Sequence, residues 1–256
     1  MKFSVIIPNY NSEKWIDKLL YSILEQTYIE YEVIIVDDMS TDNSITKIKE
    51  YEDSRIKLIE LKQKGWNGGT RNIGVENAKG EYILFADCDD WFIDNKCFEK
   101  IAKIIDRDKP DCVRLPYRFV FDKYQQDMML SESTPQELVK SIFVAPWTKC
   151  IKRELFAPFP ENTLLEDVAQ HIAQVDKIET ISVCEEPIIC WNRNNKEAVS
   201  APGNAIKYNN KRISSVFRNV ADLMDLQCEH SYCEEHRKWR LNNYLAIVRK
   251  GKEVNI

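Results

Sequence analysis

The chain has 256 residues, 44% of them hydrophobic and 30% charged, with a formal net charge of −5. That length can bury a sizeable core, as one large domain or two small ones, without covalent staples. The acidic balance argues against non-specific nucleic-acid binding as the main task, and no nucleic acid is expected as a partner.

No run of about 18 apolar residues occurs, so no transmembrane segment is expected. The apolar part of the N-terminal MKFSVIIPNYNS is too short for a secretory signal and reads as a first strand. The eight cysteines (Cys88, Cys97, Cys112, Cys150, Cys184, Cys190, Cys228, Cys233) are scattered. In such a chain they read as reduced, mostly buried thiols of a cytoplasmic protein.

In chain order, residues 3–8 are a compact apolar strand ended by Pro8. Ser12 signals a helix N-cap, and Trp15, Ile16, Leu19, Leu20, Ile23 and Leu24 mark one apolar face of a helix over 13–26. Residues 32–36 form a second buried strand closing on Asp37-Asp38, and Asp42 or Ser44 caps a short helix reaching Tyr51. A third strand spans 55–61. Residues 65–70 read as a glycine-rich loop, followed by a helix to Ala78. The strand 82–86 then runs into Asp87-Cys88-Asp89-Asp90. This β-α-β-α-β-α-β order, with strands buried on both faces, predicts an α/β fold with a doubly wound, mostly parallel sheet.

Further on, Asp94 is expected to cap a helix reaching Asp108, 111–120 reads as one strand, and 122–133 as a polar turn or mobile loop. Thr134-Pro135-Gln136-Glu137 has capping-box character. Short strands are expected at 147–151, 178–184 and 187–192, with a helix from Glu166-Asp167 to Asp176. From Asn204 onward the pattern is helix, a break at 227–232, and a second helix, giving a helical C-terminal extension.

Ligands in such sheets sit beyond the carboxyl ends of the strands. Here those ends carry Pro8-Asn9-Tyr10, Asp37-Asp38 and Asp87-Cys88-Asp89. Asp87 and Asp89, two apart, point the same way in an extended chain and can share one ion. Their hard oxygens suit Mg2+ or Mn2+ bridging to phosphates; the plainer reading is an acidic turn that caps the next helix. Tyr10 offers an aromatic face for a base, or is a core aromatic. Asp38 can accept from the imide N–H of uracil or thymine, or cap a helix. Arg71, after Gly68-Gly69, suits phosphate, or is an exposed arginine at a helix entry.

These segments together resemble the family 2 glycosyltransferases of GT-A fold: SVIIPNYNSEKWI (4–16), SILEQTY (22–28), EVIIVDDMSTDNS (32–44) and GGTRNIGVENAKGEYILFADCDDWF (68–92). The likeness continues in APWTKCIKRELF (145–156), LLEDV (164–168) and ISVCEEPIICWNRNNKEAVS (181–200), covering about residues 3–200. It implies a nucleotide-sugar-binding half at 1–92, an acceptor-binding and catalytic half at 93–203 and an extension at 204–256. It also implies a UDP-sugar donor with uracil at Asp38, and Mn2+ or Mg2+ on Asp89 with Asp87 on the ribose or a metal-bound water. Asp167 of the Glu166-Asp167 pair is the implied general base, with Glu166 at the acceptor, and two adjacent carboxylates can raise each other's pKa. Trp191, Arg193 and Ser200 match a segment able to fold over the diphosphate. Lys149 and Arg153 are expected to serve an anionic acceptor or a salt bridge, and Trp147 to floor the acceptor sugar or pack in the core. The implied reaction is a single inverting displacement onto the hydroxyl of a glycan or other acceptor.

Two rival readings differ in testable ways. A sugar nucleotidyltransferase needs a basic glycine-rich signature near its N-terminus, which SVIIPNYNS is not. A non-catalytic sugar- or partner-binding protein predicts lost acids, yet Asp38, Asp87, Asp89 and Asp167 are all present. Cys228, His230, Cys233 and His236 could hold zinc, but their spacing fits no common finger. His171 is expected on the helix surface. The expected location is the cytoplasm, or the inner face of the membrane as a peripheral enzyme.

Overall fold

The structure, a computed structural model, describes residues 1–141, 144–160, 166–196 and 226–253, with side chains through Asn242. Segments rich in β-branched and aromatic residues make β1 (Phe3–Asn9), β2 (Tyr31–Asp37) and β4 (Tyr82–Phe85), and the partly buried β3 (Ile56–Glu60) alternates apolar and charged residues in part. They pair in parallel, β1 against both β2 and β4, and β2 against β3. Between them lie α1 (Ile16–Leu24), α2 (Ser44–Glu50) and α3 (Trp66–Glu76). α1 buries Ile16, Leu19, Leu20 and Ile23, and each such side chain contributes about 1.5–3 kcal/mol.

Local details differ from the sequence expectation. α1 begins only at Ile16; the Ser12 carbonyl accepts from the Trp15 and Ile16 N–H groups, while the Ser12 hydroxyl turns to Asn9. Asp42 does steady the start of α2, accepting from the Ser44 N–H at 3.0 Å. Gly68 and Gly69 lie inside the first turns of α3 and not in a loop. They permit close packing: a Cβ at Gly68 would strike the Pro160 carbonyl, and one at Gly74 would strike Ile6.

The remaining strands are β5 (Trp91–Phe92), β6 (Cys112–Arg114), β7 (Tyr117–Val120), β8 (Gln125–Met128), β9 (Lys149–Lys152), β10 (Ile181–Val183) and β11 (Ile189–Asn192). The main sheet has the order β10-β6-β9-β4-β1-β2-β3, and the second sheet β5-β11-β7-β8. Among the described residues, only β9 runs antiparallel to its neighbours in the main sheet. Residues 111–120 are therefore two strands: β6 joins the main sheet and β7 the second, and Pro116 sits at the junction without an N–H to donate. The expected loop at 122–133 contains β8, which pairs with β7 through Tyr117↔Met128 to Val120↔Gln125.

α4 (Cys97–Asp108), α5 (Pro135–Leu138), α6 (Asp167–Val175) and α7 (Ser231–Glu253) complete the described α-helices. Asp94 accepts from the Lys96 N–H ahead of α4, and Thr134 and Glu137 form the anticipated capping box at α5. The helix expected from Asn204 lies outside the described residues. Asp176, just past α6, accepts from the N–H groups of Glu229 and His230 and from His230 Nδ1, so one carboxylate joins the end of α6 to the start of α7. This accounts for much of the Cys228–His236 cluster. His230 serves Asp176, Cys233 is buried, and His236 stacks on Trp239; among the described residues no group of three or more His, Cys, Asp or Glu is placed to hold a metal.

Candidate active site

Because β1, β2 and β4 are parallel, their carboxyl ends open on one edge of the sheet. β9 is antiparallel to β4, so its first residues, preceded by a 3-10 turn at Pro146–Thr148, lie at that same edge. α6 starts with Asp167.

The two carboxylates ending β2 have separate tasks. Asp37 is a brace: its Oδ1 accepts from Asn9 Nδ2 at 2.6 Å and Ser40 Oγ at 2.5 Å, and its Oδ2 from the Ser40 N–H at 2.9 Å. Asp38 reaches across to α3, accepting from the Gly65 N–H at 2.6 Å and the Trp66 N–H at 3.2 Å. It caps a helix, but α3 and not the α2 that follows it in sequence. Met39 and Trp66, beside this contact, hold φ of 63° and 57°, a region that bulky side chains rarely adopt outside functional sites.

Pro8, at the end of β1, accepts from the Cys88 thiol at 3.2 Å through its carbonyl, which ties β1 to the acidic turn. Tyr10 is 51% exposed and is no core residue. Lys64, which the sequence did not single out, lies over its ring at 3.2 Å and donates to the Asp38 carbonyl at 2.7 Å. The signal for Lys64 was only its place between β3 and the glycines of α3. A cavity of about 500 Å³ lined by Leu61, Lys62, Lys64, Gly65, Gly69 and Ile73 opens beside it.

Arg71 is buried, which overturns the exposed alternative. It donates from Nη1 to Glu166 Oε1 at 2.7 Å and from Nη2 to Asp87 Oδ1 at 2.8 Å. Its Nε has no partner among the described residues. Burial opposes the guanidinium charge, but Asp87 and Glu166 outweigh burial and raise its pKa. Arg71 thus fastens the end of β4 to the start of α6.

The acidic segment is a tight turn, closed by the Asp90 N–H donating to the Asp87 carbonyl at 3.0 Å. Asp90 is buried and accepts from the Asn192 N–H at 2.8 Å, tying the turn to β11. Asp89 Oδ2 accepts from Asn195 Nδ2 at 2.7 Å. Burial, and then the Asp87 charge, raise the pKa of Asp89; burial and Asp89 hold Asp90 well above the usual carboxylate range. Crowded acids of this kind favour a cation. Asp87 and Asp89 each keep one oxygen that accepts from no other described residue. Two such hard donors fit a divalent ion that completes its shell from phosphate and water.

Glu166 is buried against Arg71, and burial raises its pKa, with Asp167 adding to the rise and Arg71 opposing it. Burial likewise raises Asp167, while Arg71 and Lys149 pull it back. The expected repulsion between the pair is present at Glu166, but removal from water is the larger cause.

Trp147 lies in the core, the second of the two roles its sequence allows. It meets Tyr117 at 5.0 Å and Trp191 at 5.3 Å, edge-on in both cases. Trp191 is half-buried, and the Arg193 guanidinium lies over its ring at 4.6 Å. The positive charge of Arg193 also acts on Asp89 and Asp90. Ser200 lies outside the described residues. Arg153 donates to the Gly80 carbonyl at 2.8 Å. Lys149 and His171 are both buried, and Lys149 has no ion-pair partner among the described residues, so neither role expected of Lys149, acceptor contact or salt bridge, nor the expected surface position of His171 holds.

A family model described as Glycosyl transferase family 2 matches residues 4–167. The chain is 36% identical over 140 residues to the poly(ribitol-phosphate) beta-N-acetylglucosaminyltransferase TarS of Staphylococcus aureus, covering 53% of this chain and 24% of that protein. It is 39% identical over 102 residues to the Escherichia coli UDP-Glc:alpha-D-GlcNAc-diphosphoundecaprenol beta-1,3-glucosyltransferase WfgD, covering 40% of each. The chain thus spans well under two thirds of the length of these relatives. Its fold matches the crystal structure of S. aureus TarS residues 1–349 in complex with UDP-GlcNAc, with a TM-score of 0.77 at 24% identity over 100% of this chain and 76% of that one.

Proposed function

Because the chain belongs to glycosyl transferase family 2, we propose that it moves a sugar from a UDP-sugar to the hydroxyl of a glycan or polysaccharide precursor, with inversion. The observation that carries this reading is the chain of contacts Asp87–Arg71–Glu166, which brings the acidic turn after β4 and the Asp167 end of α6 to one site. Residues 1–92 supply the donor side and 93–203 the acceptor side.

On the donor side, Tyr10 stacks the uracil and Asp38 accepts its imide N–H. The two backbone contacts of Asp38 leave lone pairs for this. Lys64 leaves the Tyr10 face when the base arrives. Asp89, with Asp87, holds Mn2+ or Mg2+, whose chemistry is to neutralise charge on the diphosphate. The charge of Arg193 acts on Asp89, and Arg193 serves the same phosphates. On the acceptor side, Asp167 takes the hydroxyl proton as the oxygen forms its bond to the anomeric carbon and the bond from that carbon to the diphosphate breaks. UDP leaves with the bonding pair. Glu166 and Arg71 hold Asp167 in place, and Trp147 backs Trp191. Positioning and charge stabilisation are the protein's contribution.

The test is UDP release from a panel of UDP-sugars with Mn2+ or Mg2+, with and without EDTA, for wild type, Asp89→Ala and Asp167→Asn. Metal-dependent turnover of one donor, lost in both variants, is the expected result. Absence of UDP binding with either metal would sink the reading.

A further inference from the structure

Lys149 is 0% exposed at the start of β9, and no described carboxylate lies within ion-pair distance of it. Its Nζ donates to the carbonyls of Val144 at 2.9 Å and Ala145 at 3.3 Å and meets His171 Nδ1 at 3.3 Å. On the other side of that ring, His171 Nε2 lies 2.9 Å from the Leu138 carbonyl. A carbonyl can only accept, so Nε2 carries the proton, and Nδ1 presents its lone pair to the ammonium. The imidazole is therefore neutral, in keeping with burial and the nearby cations holding its pKa well below the ordinary value. The register Arg114↔Lys149 sets a second buried cation beside the first. Arg114 has Glu132 at 3.5 Å, but Lys149 has no such partner among the described residues.

A buried ammonium without a counter-ion is expensive, and an apolar side chain of similar size would be the cheaper way to fill this space. What sets the site apart is its neighbour. His171 is four residues beyond Asp167, on the same face of α6 and one turn along it. We propose that Lys149 and His171 are positioning residues for Asp167: together they pin the first turns of α6 to β9 and α5, and Lys149 in its protonated form sets a positive charge near the base. The inference rests on the reading of Asp167 as the base.

Other contacts agree with a helix held on two sides. Gln170 donates to the Ala157 carbonyl at 3.1 Å, and Gln174 spans the Ala157 N–H and the Leu155 carbonyl at 2.9 and 2.8 Å. Those bonds anchor one flank of α6, and His171 anchors the other. The charged and titratable groups around Lys149 are Arg114 and Cys112 of β6, Asp167 and His171 of α6, and Glu132 after β8. Around Asp167 they are Arg71 of α3, Lys149 of β9, Glu166 and Asp87. His236 of α7 faces His171. Of the two cations that favour ionised Asp167, Arg71 is already paired with two acids and Lys149 is not. Removing the Lys149 charge leaves Asp167 harder to ionise, so it becomes a base only at higher pH.

The experiment compares pH–rate profiles of the full chain, using the UDP-sugar that wild type turns over, with UDP affinity measured separately by calorimetry. Lys149→Met is expected to lower kcat about tenfold at pH 6.5 and to move the acid limb upward by about half a unit or more, with UDP affinity within about twofold of wild type. Lys149→Arg keeps the charge and is expected to keep the limb in place. His171→Gln keeps Lys149 but loosens α6, so kcat falls by about threefold with no shift of the limb. If Lys149→Met folds poorly, Lys149→Gln takes its place, with the same expectation. An unmoved acid limb in the uncharged variants, or a fall in UDP affinity matching the fall in kcat, overturns the inference. Undiminished turnover by Asp167→Asn instead overturns the reading on which it rests.

Discussion

Two buried cations flank the start of α6, and the chain treats them in opposite ways. Arg71, from α3, has one carboxylate for each terminal nitrogen, Glu166 and Asp87. Lys149, behind the helix, has two carbonyls and a neutral imidazole. Burial acts on both. At Arg71 the paired acids win and the pKa rises; at Lys149 burial wins, Arg114 adds to it, and the pKa is lowered to about 7. A buried charge with a carboxylate on each terminal nitrogen is structural glue, whereas one without such partners stays sensitive to whatever charge lies near. Asp167 lies within the field of both.

The largest expected effect separates the base from its supports. Asp167→Asn should lower kcat by about 10²–10⁴-fold. UDP binding should stay near wild type, since the substitution touches neither Tyr10, Asp38 nor the acidic turn. Asp89→Ala should abolish the metal-dependent part of UDP binding, read by calorimetry with and without EDTA. If EDTA still weakens UDP binding to this variant, the metal lies elsewhere.

Arg71→Met sharpens the comparison directly. It leaves Glu166 and Asp87 without their partner, and breaking a buried pair costs about 3–5 kcal/mol. Denaturant unfolding should show that loss. A cost below about 1 kcal/mol would mean that Arg71 and Lys149 are equivalent after all.

The pH dependence has a definite sign. Asp167 has a raised pKa, chiefly from burial. As a base it must be ionised, so activity falls as pH drops through that raised value, above the ordinary aspartate range. Stability moves the other way. The folded state holds this proton more tightly than the unfolded one, so the group's contribution is fully present below the unfolded pKa and is lost as pH rises through the folded pKa. Asp167→Asn should therefore raise Tm more at pH 8 than at pH 4. Equal Tm changes at both would show that Asp167 ionises as readily folded as unfolded.

The smallest effect lies farthest from the site. Asp176→Ala removes the acceptor shared by Glu229 and His230 at the start of α7. Loss of such a cap costs about 0.5–2 kcal/mol. Hydrogen exchange should accelerate in α7 while kcat is unchanged. A fall in kcat would mean that α7 supports the Asp167 helix more closely than its contacts with α6 indicate.

Much of the first half was legible from residue order, because its elements are coded locally. Unbroken apolar runs made β1, β2 and β4, the 3.6-residue period made α1, and parallel order then carried Tyr10, Asp38, Asp87 and Asp89 to one edge. The motif likeness added Asp167. Pairing across long separations was not legible. Pro116 could mark a break in 111–120, but only sheet partners decided that β6 and β7 belong to different sheets. β8 has a polar sequence and is a strand because β7 supplies its ladder.

The same divide runs through the site. Residue type and order determined which groups could carry chemistry: the acids at the strand ends, the aromatic after Pro8, and the acid pair at the start of α6. Their partners were decided by the tertiary structure. Asp38 reaching α3, Arg71 bridging 95 residues to Glu166, and Lys149 meeting His171 inside the protein are contacts between segments far apart in the chain. Such contacts set burial and local charge, and burial and local charge decide whether a carboxylate is a brace, a ligand or a base.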